Sequence, residues 1–268
     1  METEHTPIVM VGAGNLATHL AKALYAKGFR IVQVYSRTLE AARMLARKVG
    51  ASATDELSAL VPDAALYIVA LKDAALADRL PEIVSGRENA FWVHTAGSIP
   101  MDIWKGKVAR YGVFYPMQTF SKRREVDFAT IPIFIEACSE EGERFLSGIA
   151  SVLSGKVFSA TSTQRKSLHL AAVFACNFSN HMYALAAELL DKYGLPFDVM
   201  LPLIDETARK VHQLDPREAQ TGPAVRYDRN VMDGHLGMLA DEPVLGDIYR
   251  KLSESIHSLA EGRAAKTE

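Results

Sequence analysis

Ile8-Val9-Met10-Val11-Gly12-Ala13-Gly14-Asn15-Leu16-Ala17 is the stretch whose reading decides the fold. An apolar run of strand character enters a glycine turn, and Leu16-Ala17-Thr18-His19-Leu20-Ala21-Lys22-Ala23-Leu24 leaves it with a helical pattern. In such a unit the first glycine permits the tight turn. The second lets a pyrophosphate approach the backbone with no side chain in the way, and Ala17 replaces the third glycine where helix and strand pack closely. The helix N-terminus offers free N–H groups and the positive end of its dipole to the anion. Gly12, Gly14, Asn15 and Leu16 are therefore candidate cofactor-binding residues, the alternative being a purely structural strand-helix corner.

The next strand selects the cofactor. An NAD site places Asp or Glu at the end of the second strand to accept hydrogen bonds from the ribose hydroxyls. This chain reads Ile31-Val32-Gln33-Val34-Tyr35-Ser36-Arg37-Thr38 there. A carboxylate would repel a 2′-phosphate, whereas the Arg37 guanidinium pairs with it and Ser36 and Thr38 donate hydroxyls, so NADP(H) is expected over NAD(H). Arg37 as a surface strand cap is the plainer alternative.

The 268 residues are 49% hydrophobic and 23% charged, enough for a substantial core and one large or two ordinary domains. A net charge of -2 supplies no excess cation for counterion release, which argues against nucleic acid as the main ligand. The cluster Lys122-Arg123-Arg124 reads as a solvated loop or as a contact for the cofactor phosphate. Cys138 and Cys176 match no metal or redox spacing, are expected in the core, and suit a reducing cytoplasm. Nothing approaches the apolar length needed to cross a bilayer, and the start Met1-Glu2-Thr3-Glu4 is acidic, so no membrane association is expected.

Up to about residue 160, β-branched runs alternate with helical patterns, as in a doubly wound α/β sheet of Rossmann type. Strands are predicted over 8–11, 31–35, 66–71, 91–94, 113–115, 131–136 and 157–159, and helices near 16–26, 39–48, 74–84 and 140–153. Beyond Thr161 strand signals stop. Residues 167–190, rich in Leu, Ala and Phe without proline, predict a largely buried helix, and 244–259 predicts a final amphipathic one. The tail 262–268 is expected to be disordered. The resulting division is a nucleotide-binding domain over 1–160 and an all-helical substrate or dimerisation domain over 161–268.

Ligands of doubly wound sheets lie outside the carboxyl ends of the strands. Leu71, Lys72 and Asp73 follow the third predicted strand and are placed near the nicotinamide-side ribose. His94 follows the next, either as a cofactor contact or as a histidine held by backbone at a strand end; Gln118 is open in the same way. Lys166, His169, Val173, Asn177 and Asn180 step by three or four residues and share a helical face that suits either substrate or helix packing. Hydride transfer to a carbonyl or imine needs a proton donor and an orienting dipole, which makes Lys166, His169 and Asn177 the catalytic candidates. Thr221-Gly222-Pro223-Ala224-Val225-Arg226-Tyr227-Asp228 reads as a connector or as a pocket wall presenting Arg226.

These motifs in combination, with His94-Thr95-Ala96-Gly97-Ser98 and Tyr115-Pro116-Met117-Gln118-Thr119-Phe120, resemble a bacterial family of NADP oxidoreductases that joins a Rossmann-like domain to a helical domain of unassigned function. Pyrroline-5-carboxylate reductase, deazaflavin-dependent NADP reductases, ketopantoate reductase and β-hydroxyacid dehydrogenases are wider relatives. The resemblance implies NADP(H) on the first domain, a small-molecule substrate in an interdomain cleft, and a homodimer through the helical domains. In the ketopantoate and β-hydroxyacid relatives a lysine and an asparagine stand one helical turn apart; here Lys166 has Leu170 four residues on, which leaves Lys166 and His169 as alternatives for the lysine's place. The expected activity is NADPH-dependent reduction of a small carbonyl or imine. A sugar-acid or hydroxyacid dehydrogenase and a non-catalytic NADP(H)-sensing module are the alternatives.

Overall fold

The computed structural model describes residues 6–267, the side chains of 263–267 excepted, so the acidic start Met1-Glu2-Thr3-Glu4 and Glu268 lie outside the described residues. The chain divides into two compact units, 1–177 and 178–268.

The first unit is built on one eight-stranded sheet. Its strands are β1 (Pro7–Val11), β2 (Arg30–Tyr35), β3 (Ser52–Thr54), β4 (Leu66–Val69), β5 (Phe91–His94), β6 (Arg110–Pro116), β7 (Ile133–Ala137) and β8 (Val157–Ser159). The spatial order is β3-β2-β1-β4-β5-β6-β7-β8. All pairs through β6 are parallel, β7 runs antiparallel to β6, and β8 is parallel to β7. The order reverses between β1 and β4, which creates the crevice where such sheets hold ligands.

Crossover segments α1 (Asn15–Ala26), α2 (Leu39–Lys48), α3 (Asp73–Val84) and α4 (Glu140–Leu153) cover the sheet. Side chains alternate along a strand, so Ile8 and Met10 enter one apolar cluster with Leu20, Leu24, Leu45 and Ile149, while Val9 and Val11 enter another with Leu76, Leu80 and Ile83. Both faces of β1 are thus buried. That is why its sequence is a continuous apolar run instead of an alternating one.

The seven predicted strands and four helices of this unit are present to within a few residues at their ends. β3, whose Ser52, Ala53 and Thr54 carry no strong strand signal at the sheet edge, escapes the sequence pattern. The first unit also continues past the expected boundary at 160: α5 (Ser162–Ala172) belongs to it, because Arg165 of that helix is buried against loops of the sheet. A π-helical segment, Val173–Phe178, follows.

The second unit contains α6 (Ser179–Lys192), α7 (Leu201–Lys210), α8 (Pro216–Ala219), α9 (Arg229–Met238) and α10 (Pro243–Thr267). The helix predicted over 167–190 is present, but it is not largely buried. Leu170, Phe174 and Phe178 are exposed, and no residue of α6 is buried. Leu252 and Leu259 of the final predicted stripe are likewise exposed, and the stretch 262–267, expected to be disordered, continues α10. Cys138 and Cys176, expected in the core, are both exposed. Among the described residues no helix is long and apolar enough to cross a membrane.

Candidate active site

The turn after β1 separates the tasks of its two glycines. Gly12 has φ +129°, and a Cβ there would lie 2.4 Å from the carbonyl oxygen of Ala70, so the chain itself requires glycine. Gly14 has an ordinary φ of −74°, and a Cβ there would meet nothing within 4 Å. Its missing side chain leaves space for a ligand. No side chain caps α1 and no acidic residue occupies its first turn, which leaves the helix N-terminus available to an anion. Ala17 is 1% exposed, as close helix-sheet packing demands.

From this turn a groove of about 510 Å³ runs past the end of β2 to the start of α3, with Gly14, Ser36, Arg37, Thr38, Leu71 and Lys72 in its walls. Arg37 and Lys72 are exposed cations on its two sides. Among the described residues neither pairs with a carboxylate. Arg79 and Asp78 also line the groove, and Arg79 is held by Glu82 at 2.9 Å. Both escaped the sequence reading, because only the fold brings α3 beside the end of β2.

The loop after β6 is tied to the same helix. Asn15 donates its side-chain amide to the Phe120 carbonyl at 3.0 Å, His19 Nε2 bonds the Ser121 carbonyl at 2.9 Å, and the His19 and Phe120 rings stack at 5.7 Å. Asn15 therefore organises a loop with its side chain. The exposed Lys122, Arg123 and Arg124 lie on that loop.

At the end of β5 the structure favours the strand-end reading of His94. Its side chain is fully buried, stacks on Trp104 at 6.1 Å, and accepts the Ala96 N–H on Nδ1 at 3.2 Å. Burial, reinforced by the Arg165 guanidinium and opposed by the Pro100 backbone, lowers its pKa to about 3, so the imidazole is neutral at physiological pH. At 0% exposure, its Nδ1 contact shapes the turn at residues 95–98. Ser98 on this turn donates to Asp73, joining it to the start of α3. Gln118 accepts the Thr119 N–H at 2.8 Å and remains exposed.

α5 starts at a capping box in which Thr161 and Gln164 satisfy each other's backbone N–H groups. Arg165, 1% exposed, pairs with Glu136 of β7 and donates to the carbonyls of Ala96 and Ile99. Glu136 also accepts the Ser162 N–H at 2.9 Å and hydroxyl at 2.8 Å. This network fixes the height of α5 above the ends of β5 and β6. One turn on, His169 Nδ1 lies 3.4 Å from the Tyr115 hydroxyl at the end of β6. Gly97 lies beneath the same imidazole, since a Cβ there would come within 2.9 Å of His169 Cγ.

Lys166 and His169 are both exposed on α5, as is Asn177. Asn177 falls within the π segment, whose turn takes more residues than an α-turn, so the three-four spacing argument does not extend to it. Arg165 and Glu136 were not singled out in the sequence, and Gly97 and Tyr115 stood there only within quoted motifs, with no role of their own. The Thr161–Gln164 pair is the one local signal that the helix begins early enough to place them.

In the connector after α8, Asp228 caps α9 by accepting the Val231 N–H at 3.4 Å, and the Tyr227 ring stacks on His257 at 4.4 Å. The connector reading of this segment accounts for those contacts.

Residues 131–256 match a family model described as a domain of unknown function, DUF2520, and residues 2–77 match the shikimate/quinate 5-dehydrogenase model. A crystal structure from Bacteroides fragilis described as a "putative NADP oxidoreductase" is 68% identical, with TM-score 0.92 over 96% of this chain and 100% of that one. A reductive aminase from Aspergillus terreus, in complex with NADPH and ethyl-5-oxohexanoate, is 17% identical with TM-score 0.64 over 97% and 94% of the two chains. Pyrroline-5-carboxylate reductase from Coxiella burnetii is 15% identical with TM-score 0.56 over 95% and 97%. At these lower identities the likeness is one of fold. No curated protein sequence matches the chain.

Proposed function

Since this chain belongs to the family of the Bacteroides fragilis NADP oxidoreductase, we propose that it reduces a small carbonyl or imine compound with NADPH, His169 supplying the proton. It is an NADP-dependent oxidoreductase of Rossmann-like fold. The observation that carries the cofactor assignment is Gly14, whose absent side chain leaves open space in front of an uncapped helix, with Arg37 at the end of the next strand.

The donors fit the group. The N-terminal N–H groups of α1 suit a pyrophosphate, and Arg37, flanked by Ser36 and Thr38, suits a 2′-phosphate. Lys72 extends the same groove with a second cation. When bound, the dinucleotide supplies the hydride. His169, exposed above the carboxyl ends of β5 and β6, gives a proton to the heteroatom that becomes negative, and Lys166 one turn earlier adds positive charge. Asn177 remains the candidate orienter.

A second copy of the chain is the partner that suits the helical unit. Within 178–262 the buried residues are Ala224, Leu239, Gly246 and Ser253, while Leu195, Val199, Leu203 and Met238 each expose about half or more of their surface. Exposed apolar area on this scale marks an interface. Light scattering is expected to give twice the 29.4 kDa chain mass; a monomer at assay concentration removes this proposal.

The function is tested by titrating NADPH and NADH into the protein and then following loss of nicotinamide absorbance with cyclic imines and 2-keto acids. NADPH is expected to bind the more tightly and to be consumed. Equal affinities would remove Arg37 as the phosphate partner, and absence of binding would remove the whole reading.

A further inference from the structure

We propose that Tyr115 is a positioning residue for the proton donor: its hydroxyl holds Nδ1 of His169, so that Nε2 is the nitrogen presented to the substrate. This rests on the reading of His169 as the acid.

The two side chains lie 54 positions apart in sequence, and the Oη···Nδ1 separation is 3.4 Å with the rings edge to face. Tyr115 is 8% exposed, and its ring packs near Phe134 at 6.5 Å, so the hydroxyl is fixed by the sheet. His169 stands on the exposed surface of α5, where an imidazole without a partner would sample several rotamers. Here it is confined. A Cβ at Gly97 would meet Cγ, Nδ1 and Cβ of His169 at 2.9–3.0 Å, so the imidazole is seated against backbone that glycine alone leaves accessible. Arg165 then fixes the seat, because it binds the carbonyls on either side of Gly97 and Ser98 from the preceding turn of the same helix.

A phenol both donates and accepts, so this contact is compatible with either charge state of the imidazole. In the imidazolium, Nδ1–H donates to Oη. When the Nε2–H bond breaks, the proton passes to the substrate nitrogen or oxygen, the electron pair stays on Nε2, and the Nδ1–H···Oη bond persists. The hydride comes from the reduced nicotinamide, and exposure lets solvent return the lost proton to His169. Burial pushes the Tyr115 hydroxyl above its ordinary pKa, with the Arg165 guanidinium opposing, which keeps the phenol protonated through the cycle.

Three variants, Tyr115→Phe, His169→Asn and the double substitution, test the proposal with NADPH and 2-methyl-1-pyrroline. Y115F is expected to lower kcat roughly 10- to 100-fold while KM for NADPH changes less than about twofold, the pattern of a misplaced acid. In the H169N background Y115F should cost nothing more, because the hydroxyl acts through the imidazole. Y115F at the wild-type rate, or equally damaging in both backgrounds, overturns the proposal. A turnover-free readout uses nitrogen-15-labelled histidine without coenzyme. The His169 signals, identified by their loss in H169N, are expected to move in Y115F, and an unchanged spectrum also overturns it. This spectral arm decides alone if the wild type leaves the imine untouched. A wild type that fails to bind NADPH refutes the cofactor reading instead, while the spectra still judge the Tyr115–His169 contact.

Discussion

Alanine at Gly12 and alanine at Gly14 should damage different properties of the protein, although the two residues are neighbours in one turn. At Gly12 the new Cβ would sit 2.4 Å from the Ala70 carbonyl oxygen, about an ångström inside ordinary contact. Ala70 cannot retreat easily, because its N–H is bonded to Val11 at 2.8 Å within the sheet. Overpacking of this kind costs about 1–3 kcal/mol, and the φ of +129° adds about 1–3 kcal/mol for a residue with a side chain. A loss of about 2–6 kcal/mol is therefore expected for G12A, a large part of the stability of an ordinary domain. At Gly14 the backbone is one any residue adopts, and the methyl meets nothing within 4 Å. Alanine is a poorer helix N-cap than glycine, so G14A should lose at most about 1 kcal/mol. Its methyl nevertheless fills the approach to the N-terminal N–H groups of α1. Losing charge-assisted hydrogen bonds worth about 1.5–3 kcal/mol weakens NADPH binding roughly 10- to 150-fold. Urea unfolding and fluorescence titration with NADPH measure the two quantities separately. G14A binding NADPH like the wild type would refute the pyrophosphate assignment, and G12A as stable as the wild type would refute the steric argument.

Arg37→Ala should weaken NADPH roughly 10- to 100-fold and leave NADH nearly unchanged, because only the former carries the phosphate that a guanidinium binds; equal losses for both would point to a structural role. His94 gives a pH dependence. Its folded pKa of about 3 lies below the ordinary 6.5, so the unfolded chain alone takes up this proton between those values. The contribution of His94 to stability is fully present above pH 6.5 and falls by up to roughly 5 kcal/mol as pH drops towards 3. His94→Gln should flatten this part of the urea-unfolding profile, whereas an unchanged slope would assign the acid sensitivity elsewhere. Arg165→Met leaves Glu136 without its cation and releases two carbonyls, so a destabilisation of about 3–5 kcal/mol is expected from urea unfolding, against near-neutrality if the pair is dispensable.

Local signals carried the nucleotide-binding half. The apolar run 8–11, the glycine turn and the helical pattern after it are contiguous, so their meaning needs no knowledge of the rest of the chain. Arg37 belongs to the same class, since its place follows from the end of the next strand. β3 failed this route because three small or polar edge residues bury little and so show little periodicity.

What the sequence determined by itself was the strand-turn-helix unit and the alternation that builds a doubly wound sheet, because each of these signals is local to a short stretch of chain. Tertiary structure alone decided that His94 is buried, that Arg165 joins β7 to the turn after β5, that Tyr115 meets His169, and that the helix after residue 162 stays exposed along most of its length. Burial and encounter are properties of distant segments brought together. Periodicity records which face of an element is apolar, but not which other part of the molecule covers it.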